Sequence, residues 1–474
     1  MFKFIKNILN VSLSNILSLL SGVLVGFLVP KMLNMEGYAN YKIYTLYLTY
    51  LPILSLGFCD GLYLKYSGLE KQDLDKKVIH SLLKKYYIQL GMFSVIACLS
   101  AFFFLPAEYK MIGICLSITI LTSQVTCAHQ NISLITSSFN EYSVRVITKA
   151  ILTSILVLSL FCIFKLNNNE VPYQIFVGGL ILIDSILVVW YVYTYRDINF
   201  FICNENTPAQ NRVKYSHLLL IGFPLLLSNM AGSIFMSLDR QFVSVLFEKE
   251  QYAIYAFAYN LLTLITTVTS AVSLVLFPSL KKISNINCSD MLNKYLPLFN
   301  SVIAGCLLVY FPLCMFIPAF LPKYTGALEI FRIILPGLIL SSSVSVILIN
   351  FYKLENKIVV YFWLTVGSII ISITSNYIAF KLFHTYQAIS WASIFSISIW
   401  YLCTMLYFKH LYNFGLPKNV VYIIAIGSIF YLITGVVHNT LLAAVIYAVT
   451  YLLITFFFNH ERIRKIIMSR KLKQ

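Results

Sequence analysis

Several ionisable residues lie inside or at the ends of long apolar runs, and they are the candidates for chemistry in this chain. A charged group is costly in hydrocarbon, so one that occurs there is a functional candidate by default. Cations at helix ends suit a phosphate or pyrophosphate group, and the candidates for that role are Lys42, Arg145, Lys149, Arg240 and Arg332. The candidates for ion coupling or gating are Asp60, Asp184, Asp239 and His129.

Asp184 is the sharpest case, because it lies near the middle of the apolar run Leu180-Ile-Leu-Ile-Asp184-Ser-Ile-Leu. A carboxylate at that depth must face other helices, find a partner or stay protonated. Proton or cation coupling and a structural hydrogen bond to a neighbouring helix explain it equally well. His129 belongs to a stripe of polar residues, and a satisfied interhelical histidine explains it better than a proton relay.

Arg145 and Lys149 lie one helical turn apart at the predicted start of the fifth apolar run. Two cations on one helix face suit a phosphate or pyrophosphate group. Snorkelling of both side chains towards anionic lipid is the simpler explanation, and it is favoured here. Lys42, at the start of the second run, allows the same two interpretations.

The remaining candidates lie at the ends of apolar runs. Asp60 ends the second run, where helix capping is favoured over a role in a cytoplasmic gate. Asp239 and Arg240 end the seventh run. Glu329 and Arg332 open the tenth with i, i+3 spacing, which favours a local ion pair over a ligand site. Arg240 and Arg332 nonetheless lie at helix ends that can flank a cavity.

Membrane-spanning helices are the elements that must position these residues. The chain has 474 residues, of which 59% are hydrophobic and 11% charged, whereas a soluble chain carries ~25% charge. This excludes a soluble enzyme, a DNA-binding protein and a disordered regulator. Fourteen spans are predicted, with approximate limits 8–30, 41–62, 86–105, 110–137, 147–165, 173–195, 216–238, 253–278, 296–321, 329–352, 358–380, 387–408, 420–437 and 440–458.

The distribution of basic residues predicts the orientation. With a cytoplasmic N-terminus, 26 of the 35 Lys and Arg residues fall on the cytoplasmic side, as the positive-inside rule requires. Both termini are therefore predicted to be cytoplasmic, and the number of spans is predicted to be even. The formal charge of +17 is explained by this asymmetry and not by binding of nucleic acid.

An internal repeat indicates how the spans are grouped. An offset of 214 residues places Leu13-Ser14-Asn15 on Leu227-Ser228-Asn229 and aligns 36–41 with 250–255. Because six helices separate the copies, the halves share their orientation. We predict two parallel six-helix bundles, 1–215 and 216–418, around a central cavity, followed by two helices and a basic tail, 419–474. Such duplication is typical of transporters that work by alternating access.

Several sequence motifs are absent from the chain, and their absence bears on its function. The sequence has no G-x-x-x-x-G-K-[ST] loop, so it does not energise itself with ATP. No metal-site or nucleophile-elbow motif is present, and no cofactor is expected. Coupling to Na⁺ or H⁺ stays open. A membrane glycosyltransferase or polymerase is disfavoured, because the chain has neither a soluble domain nor a large external loop, and we predict that it is not an enzyme.

Six short segments carry a family resemblance: Leu28-Val-Pro30 leading to Glu36-Gly37-Tyr38, Leu56-Gly-Phe-Cys-Asp-Gly61, Ser237-Leu-Asp-Arg240, and Glu250-Gln-Tyr-Ala253 with the later Pro278-Ser-Leu-Lys281. With them the chain resembles the O-antigen or polysaccharide-unit flippases (Wzx type) of the multidrug/oligosaccharidyl-lipid/polysaccharide superfamily. The resemblance covers nearly the whole chain, and its patterns are loose.

The resemblance implies a bundle with a central cationic cavity in the bacterial inner membrane. Its expected cargo is an undecaprenyl-pyrophosphate-linked oligosaccharide, an O-antigen or capsule repeat unit, moved from the inner to the outer leaflet. The expected partners are this lipid-linked oligosaccharide, membrane lipids, and a polysaccharide polymerase with chain-length proteins, with no nucleic acid among them.

One departure from the superfamily pattern narrows the expectation. The first span has no charge between Ile8 and Val29, where lipid II flippases of the superfamily carry a basic residue and drug/cation antiporters an acidic one. Both of those roles are therefore disfavoured. A cation-coupled multidrug exporter of the same fold remains the alternative to polysaccharide-unit transport.

Overall fold

The computed structural model describes residues 2–67, 74–136, 138–200, 214–281, 288–355, 357–412 and 416–471. Within these ranges all regular secondary structure is helical. The α-helices are α1 (Phe2–Met32), α2 (Met35–Leu48), α3 (Phe58–Tyr66), α4 (Lys76–Phe104), α5 (Ala107–Ile135), α6 (Phe139–Asn167), α7 (Tyr173–Thr194), α8 (Arg196–Asn199), α9 (Tyr215–Phe235), α10 (Leu238–Leu246), α11 (Lys249–Lys281), α12 (Cys288–Gly305), α13 (Tyr310–Phe320), α14 (Ala327–Ile334), α15 (Gly337–Ser342), α16 (Ile349–Leu354), α17 (Ile358–Phe383), α18 (Tyr386–Tyr412), α19 (Leu416–Val436) and α20 (Thr440–Lys471).

The helices have the length and composition of membrane spans. Within the described residues, 12 segments are long and apolar enough to cross a bilayer, and a bent pair, Met35–Ser55 with Phe58–Tyr66, would be one more. The predicted eighth span coincides with α11, a helix of 33 residues. The all-α polytopic fold is confirmed, and the chain is a multi-pass membrane protein.

The predicted second span, 41–62, is not one continuous helix. α2 ends at Leu48, a 3₁₀ turn covers Leu51–Ser55, and α3 continues at an angle of 57°. Leu56 and Gly57 cause the break, because both adopt left-handed backbone conformations with φ of 49° and 87°. Such conformations end helices.

Glycines let α3 and α9 approach each other backbone to backbone. A Cβ on Gly57 would lie 2.5 Å from the amide nitrogen of Phe223, and a Cβ on Gly222 would lie 2.0 Å from the carbonyl oxygen of Gly57. Both distances are shorter than van der Waals contact allows, so any larger residue would force the helices apart. The contact explains why glycine is required at these positions.

The fifth span starts earlier than predicted. α6 begins at Phe139, whereas the apolar run begins near 147, so Lys149 lies ten residues inside the helix. Arg145 and Lys149 therefore do not open the helix, and their place at the membrane boundary stays a prediction. The tenth span is also less regular than predicted: α14, α15, a π-helical stretch at Ser343–Leu348 and α16 replace a single helix over 329–352.

The chain divides into two compact units, Met1–Ile234 and Phe235–Gln474. In the first unit α1 packs on α6, α4 on α5, and α5 on α7. In the second, α17 packs on α18, α14 contacts α11 and α18, and α19 packs on α20. The starts of α2 and α11, at 35 and 249, are separated by the 214 residues of the sequence repeat. The predicted division into two six-helix bundles and a tail stays a prediction.

Candidate functional site

In the first unit an ion pair joins α6 and α7. The Lys149 Nζ lies 2.6 Å from the Asp184 Oδ1, and the side chains are 51% and 18% exposed. Lys149 is ten residues from the start of α6, and Asp184 is ten residues from the end of α7. Asp184 therefore lies near the middle of α7, a helix of 22 residues, whereas Lys149 lies in the first half of α6, a helix of 29 residues. Asp184 therefore has the partner that its depth requires.

Arg145 lies one turn before Lys149, but its surroundings differ. Its side chain is 2% exposed and pairs with the Glu141 carboxylate at 2.6 Å. The guanidinium also donates to the Thr194 Oγ1 at 2.5 Å and lies 4.9 Å and 4.3 Å from the ring centroids of Trp190 and Tyr191. In this conformation Lys149 is therefore the accessible cation of the two.

Lys42 lies on an aromatic surface of α2. Its Nζ is 5.3 Å from the ring centroids of both Tyr38 and Tyr41, a cation–π distance. Tyr44, on the same helix, bonds to the Thr119 hydroxyl of α5 at 2.8 Å. Lys42 stays a candidate for anion binding.

His129 is completely buried in α5 and its ring nitrogens have partners. The Nδ1 lies 2.9 Å from the Val125 carbonyl oxygen and therefore donates to it, which leaves Nε2 as an acceptor. Asn199 donates its Nδ2 hydrogen to that Nε2 at 3.0 Å. This arrangement is that of a satisfied interhelical histidine, and a role in coupling or gating stays a prediction.

Asp60 does not cap α3. The N-cap residue is Gly57, and Asp60 lies in the first turn of the helix. The capping interpretation is thus wrong in position, although a carboxylate in a first turn is still stabilised by the helix dipole. A gating role for Asp60 stays a prediction.

In the second unit a buried carboxylate is held by hydroxyl groups. Asp239 is 4% exposed, and its Oδ2 accepts hydrogen bonds from Tyr255, at 3.0 Å, and from Tyr259. The Arg240 amide donates to its Oδ1 at 2.7 Å. The sequence reasoning missed these partners, although the i, i+4 spacing of Tyr255 and Tyr259 was a usable signal.

A small cavity adjoins Asp239. Its volume is about 20 Å³, enough for one water-sized guest, and its polar lining includes Asp239, Tyr259, Ser341, Ser372 and Ser393. Carboxylate and hydroxyl oxygens are ligands for hard cations. The described residues contain no cluster of three or more His, Cys, Asp or Glu side chains that fits a metal ion. The site suits a proton or a small monovalent cation.

Arg240 turns away from the carboxylate beside it. Its guanidinium donates to the Met236 carbonyl at 3.1 Å and lies 5.1 Å from the Tyr259 ring centroid. Among the described residues, Arg240 and Asp239 form no ion pair within 4 Å. The direct hydrogen-bond partners of the Asp239 side chain are therefore two tyrosine hydroxyl groups and the Arg240 amide.

The expected pair between Glu329 and Arg332 does not form in the part of the chain that the structure describes. Arg332 in α14 donates to the Thr434 carbonyl at 3.5 Å, and Glu329 accepts from the Gln387 side chain at 3.4 Å. Thr434 lies in the last turn of α19, where carbonyl groups lack intrahelical partners and favour a cation. The end of a neighbouring helix thus replaces the local acid.

Many spanning helices, with ionisable groups held between them, define the class of a polytopic membrane protein with a transporter-type fold. Residues 4–284, which are 281 of the 474, match the family described as polysaccharide biosynthesis protein. The chain belongs to that family. A comparison with curated proteins gives no match.

Solved structures of transporters share the fold. The lipid II flippase MurJ, in an inward closed conformation, is 16% identical, with a TM-score of 0.68, over 97% of this chain and 100% of that one. An inward-facing multidrug resistance MATE family transporter of the MOP superfamily is 12% identical, with a TM-score of 0.62, and the match covers 88% of this chain and 96% of that one. A structure of MATE in complex with MaL6 is 12% identical in sequence, with a TM-score of 0.59, and the match covers 89% of this chain and 97% of that one. The chain shares its fold with these transporters.

Proposed function

We propose that the protein is a flippase that moves an undecaprenyl-pyrophosphate-linked oligosaccharide, an O-antigen or capsule repeat unit, from the inner to the outer leaflet by alternating access. The bacterial inner membrane, with both termini cytoplasmic, is its proposed location. Membership of the polysaccharide biosynthesis family and the flippase-type fold support this proposal. The observation that carries it is the half-exposed Lys149, which pairs with Asp184 near the middle of α7.

The ion pair provides a means of binding and releasing an anion. Lys149 and Asp184 together are neutral, so the protein holds a cation beside the middle of α7 at a modest electrostatic cost. A pyrophosphate that arrives beside Lys149 competes with Asp184 for the ammonium group. The competition keeps the lipid-linked anion from binding too tightly to leave. Arg145, held by Glu141 and two aromatic rings, joins α6 to Thr194 of α7 one turn away.

Asp239 is the proposed coupling site. Its carboxylate is buried, faces a cavity of about 20 Å³ and is surrounded by hydroxyl oxygens. These groups suit a Na⁺ or H⁺ that travels as co-substrate down its gradient. Arrival of the cation would neutralise the carboxylate and weaken its demand for hydroxyl donors from α11. That helix would then be free to rearrange.

Surface polysaccharide in a deletion strain tests the proposed substrate. We expect the double substitution Arg145→Ala with Lys149→Ala to reduce it by tenfold or more, since ~1.4 kcal/mol of lost binding is a factor of ten. The matched control is Lys165→Ala, an exposed cation near the end of the same helix. Normal polysaccharide from the double variant, with normal protein levels, would contradict the role of these cations.

The alternative is a cation-coupled multidrug exporter of the same fold. It predicts drug resistance in a sensitive host, with no effect on surface glycan. Asp239 would be required under both functions, whereas Arg145 and Lys149 would be dispensable for export of cationic drugs. The same variants therefore distinguish the two functions.

A further inference from the structure

A cleft in the first unit lies apart from the residues assigned to transport. Its volume is about 470 Å³, and it is lined by His80, Leu83, Lys84, Tyr87, Ile88 and Asn199. These residues come from the first turns of α4 and from the end of α8. The predicted orientation places this end of the helices on the cytoplasmic side.

Two of the polar lining residues are committed to the protein itself. Tyr87 donates its hydroxyl hydrogen to the Asn199 Oδ1 at 2.9 Å, and Asn199 donates to the buried His129 at 3.0 Å. Asn199 also donates to the Tyr195 carbonyl at 3.1 Å. These bonds fix one wall of the cleft. A ligand would therefore be recognised by the other polar residues of its lining.

Lys84 and His80 are the groups available to a ligand. Lys84 is exposed and forms no ion pair within the described ranges. The His80 Nδ1 lies 2.8 Å from the Ile198 carbonyl and donates to it, so its Nε2 can accept a hydrogen bond in the neutral ring. The negative charge of the nearby Asp197 is compensated by Lys76, whose Nζ lies 3.8 Å from the Asp197 Oδ2. The cleft thus combines a cation with a hydrogen-bond acceptor.

The helix face that carries these groups continues as an apolar stripe. Ile88, Met92, Val95 and Leu99 are each more than half exposed, and their spacing of four, three and four residues places them on one face of α4. In a bilayer such a stripe contacts acyl chains. The basic residue and the cleft therefore lie where the polar end of α4 meets its hydrocarbon-facing surface.

We propose that this cleft binds the headgroup of an anionic glycerophospholipid, whose acyl chains lie along the stripe. The Lys84 ammonium group contacts the phosphate as a point charge, which suits a singly charged phosphodiester. The His80 Nε2 accepts a hydrogen bond from a headgroup hydroxyl. No arginine lines the cleft, so anion recognition there rests on the ammonium group of Lys84. The site is independent of the proposed transport cargo.

Lipid titration of the purified full-length protein in detergent tests the proposal. Phosphatidylglycerol is the probe, and the readouts are the thermal midpoint and the bound lipid detected by native mass spectrometry. We expect Lys84→Gln to weaken phosphatidylglycerol binding about fivefold, as for one basic residue near an anionic membrane surface. Lys85→Gln is the matched control, because Lys85 is exposed and adjacent but does not line the cleft. Equal losses in the two variants, or no loss in either, would overturn the proposal.

Two further ligands distinguish a lipid site from a site for any anion. Inorganic phosphate supplies the anion without acyl chains, and phosphatidylcholine supplies the chains without net charge. We expect neither to raise the midpoint as phosphatidylglycerol does. Displacement of bound phosphatidylglycerol by millimolar phosphate would show a free-anion site and would overturn the lipid assignment, without bearing on flippase activity.

Discussion

Asp184 in the first unit and Asp239 in the second are carboxylates held in different ways. Asp184 contacts a cation, the half-exposed Lys149. Asp239 is almost fully buried and bonds to the hydroxyl groups of Tyr255 and Tyr259. A cationic partner cancels a negative charge, whereas hydroxyl donors solvate the charge and leave it in place. The first arrangement can exchange one anion for another, and the second can accept a cation.

The comparison predicts that the first unit depends on charge pairing for its stability. Arg145→Ala leaves Glu141 without its partner and removes the stack on Trp190 and Tyr191. Because Glu141 is 41% exposed, we expect the free energy of unfolding to fall by about 2 kcal/mol. This is less than the ~3–5 kcal/mol lost when a fully buried pair is broken. The measurement is the thermal midpoint of the purified protein.

Arg145→Lys sharpens this prediction, because it keeps the charge but loses the planar guanidinium. Its midpoint should fall between those of the wild type and Arg145→Ala. If Arg145→Ala melts at the wild-type temperature, the contacts of Arg145 do not stabilise the unit.

For Asp239, the carboxylate bound by hydroxyl groups, we expect a smaller effect, which is a change in the affinity for the coupling ion. Tyr259→Phe removes one donor to Asp239, and a hydrogen bond to a charged group contributes ~1.5–3 kcal/mol. Because this donor stabilises the ionised, ion-free carboxylate, its loss favours the ion-bound form, and at the lower end of that range the apparent affinity for the coupling ion should rise about tenfold. The measurement is the ion dependence of transport in proteoliposomes.

Tyr447→Phe is the control for this experiment. Its hydroxyl donates to the Ala304 carbonyl at 3.1 Å and does not contact Asp239. Its ion dependence should match that of the wild type. Equal shifts in both variants would mean that loss of a buried hydroxyl, and not contact with Asp239, causes the change.

The smallest expected effect belongs to the ion pair between α6 and α7. Because Lys149 is half exposed, its pairing with Asp184 should contribute about 1 kcal/mol, the upper part of the range for exposed pairs. A double-mutant cycle with Lys149→Ala and Asp184→Ala should show that coupling in the thermal midpoint. Additive losses would show that the contact contributes nothing to stability.

Sequence predicted the spans well, because long apolar segments follow from bilayer thickness alone. It did not predict the break at Leu56 and Gly57, which involves a backbone contact with Gly222, more than 160 residues away. The start of α6 was placed late because Glu141 and Arg145 are polar, although their i, i+4 spacing lets them pair within a helix.

The candidate residues were found more readily than their partners. Charges in apolar runs stand out in the sequence, and this identified Asp184, Lys149 and Asp239. Their partners lie on other helices: Tyr255 and Tyr259 of α11 bond to Asp239, and the Thr434 carbonyl replaces Glu329 beside Arg332. Such pairings depend on tertiary packing and not on local spacing.

The most direct test is flipping by the purified protein in proteoliposomes with an imposed Na⁺ or H⁺ gradient. The substrate is undecaprenyl-pyrophosphate-linked oligosaccharide, and its exposure on the far leaflet is measured with a membrane-impermeant sugar-modifying enzyme. We expect gradient-dependent flipping by the wild type and its loss in Asp239→Asn. Absence of flipping by active, folded protein, together with gradient-driven drug transport in the same vesicles, would contradict the proposed function.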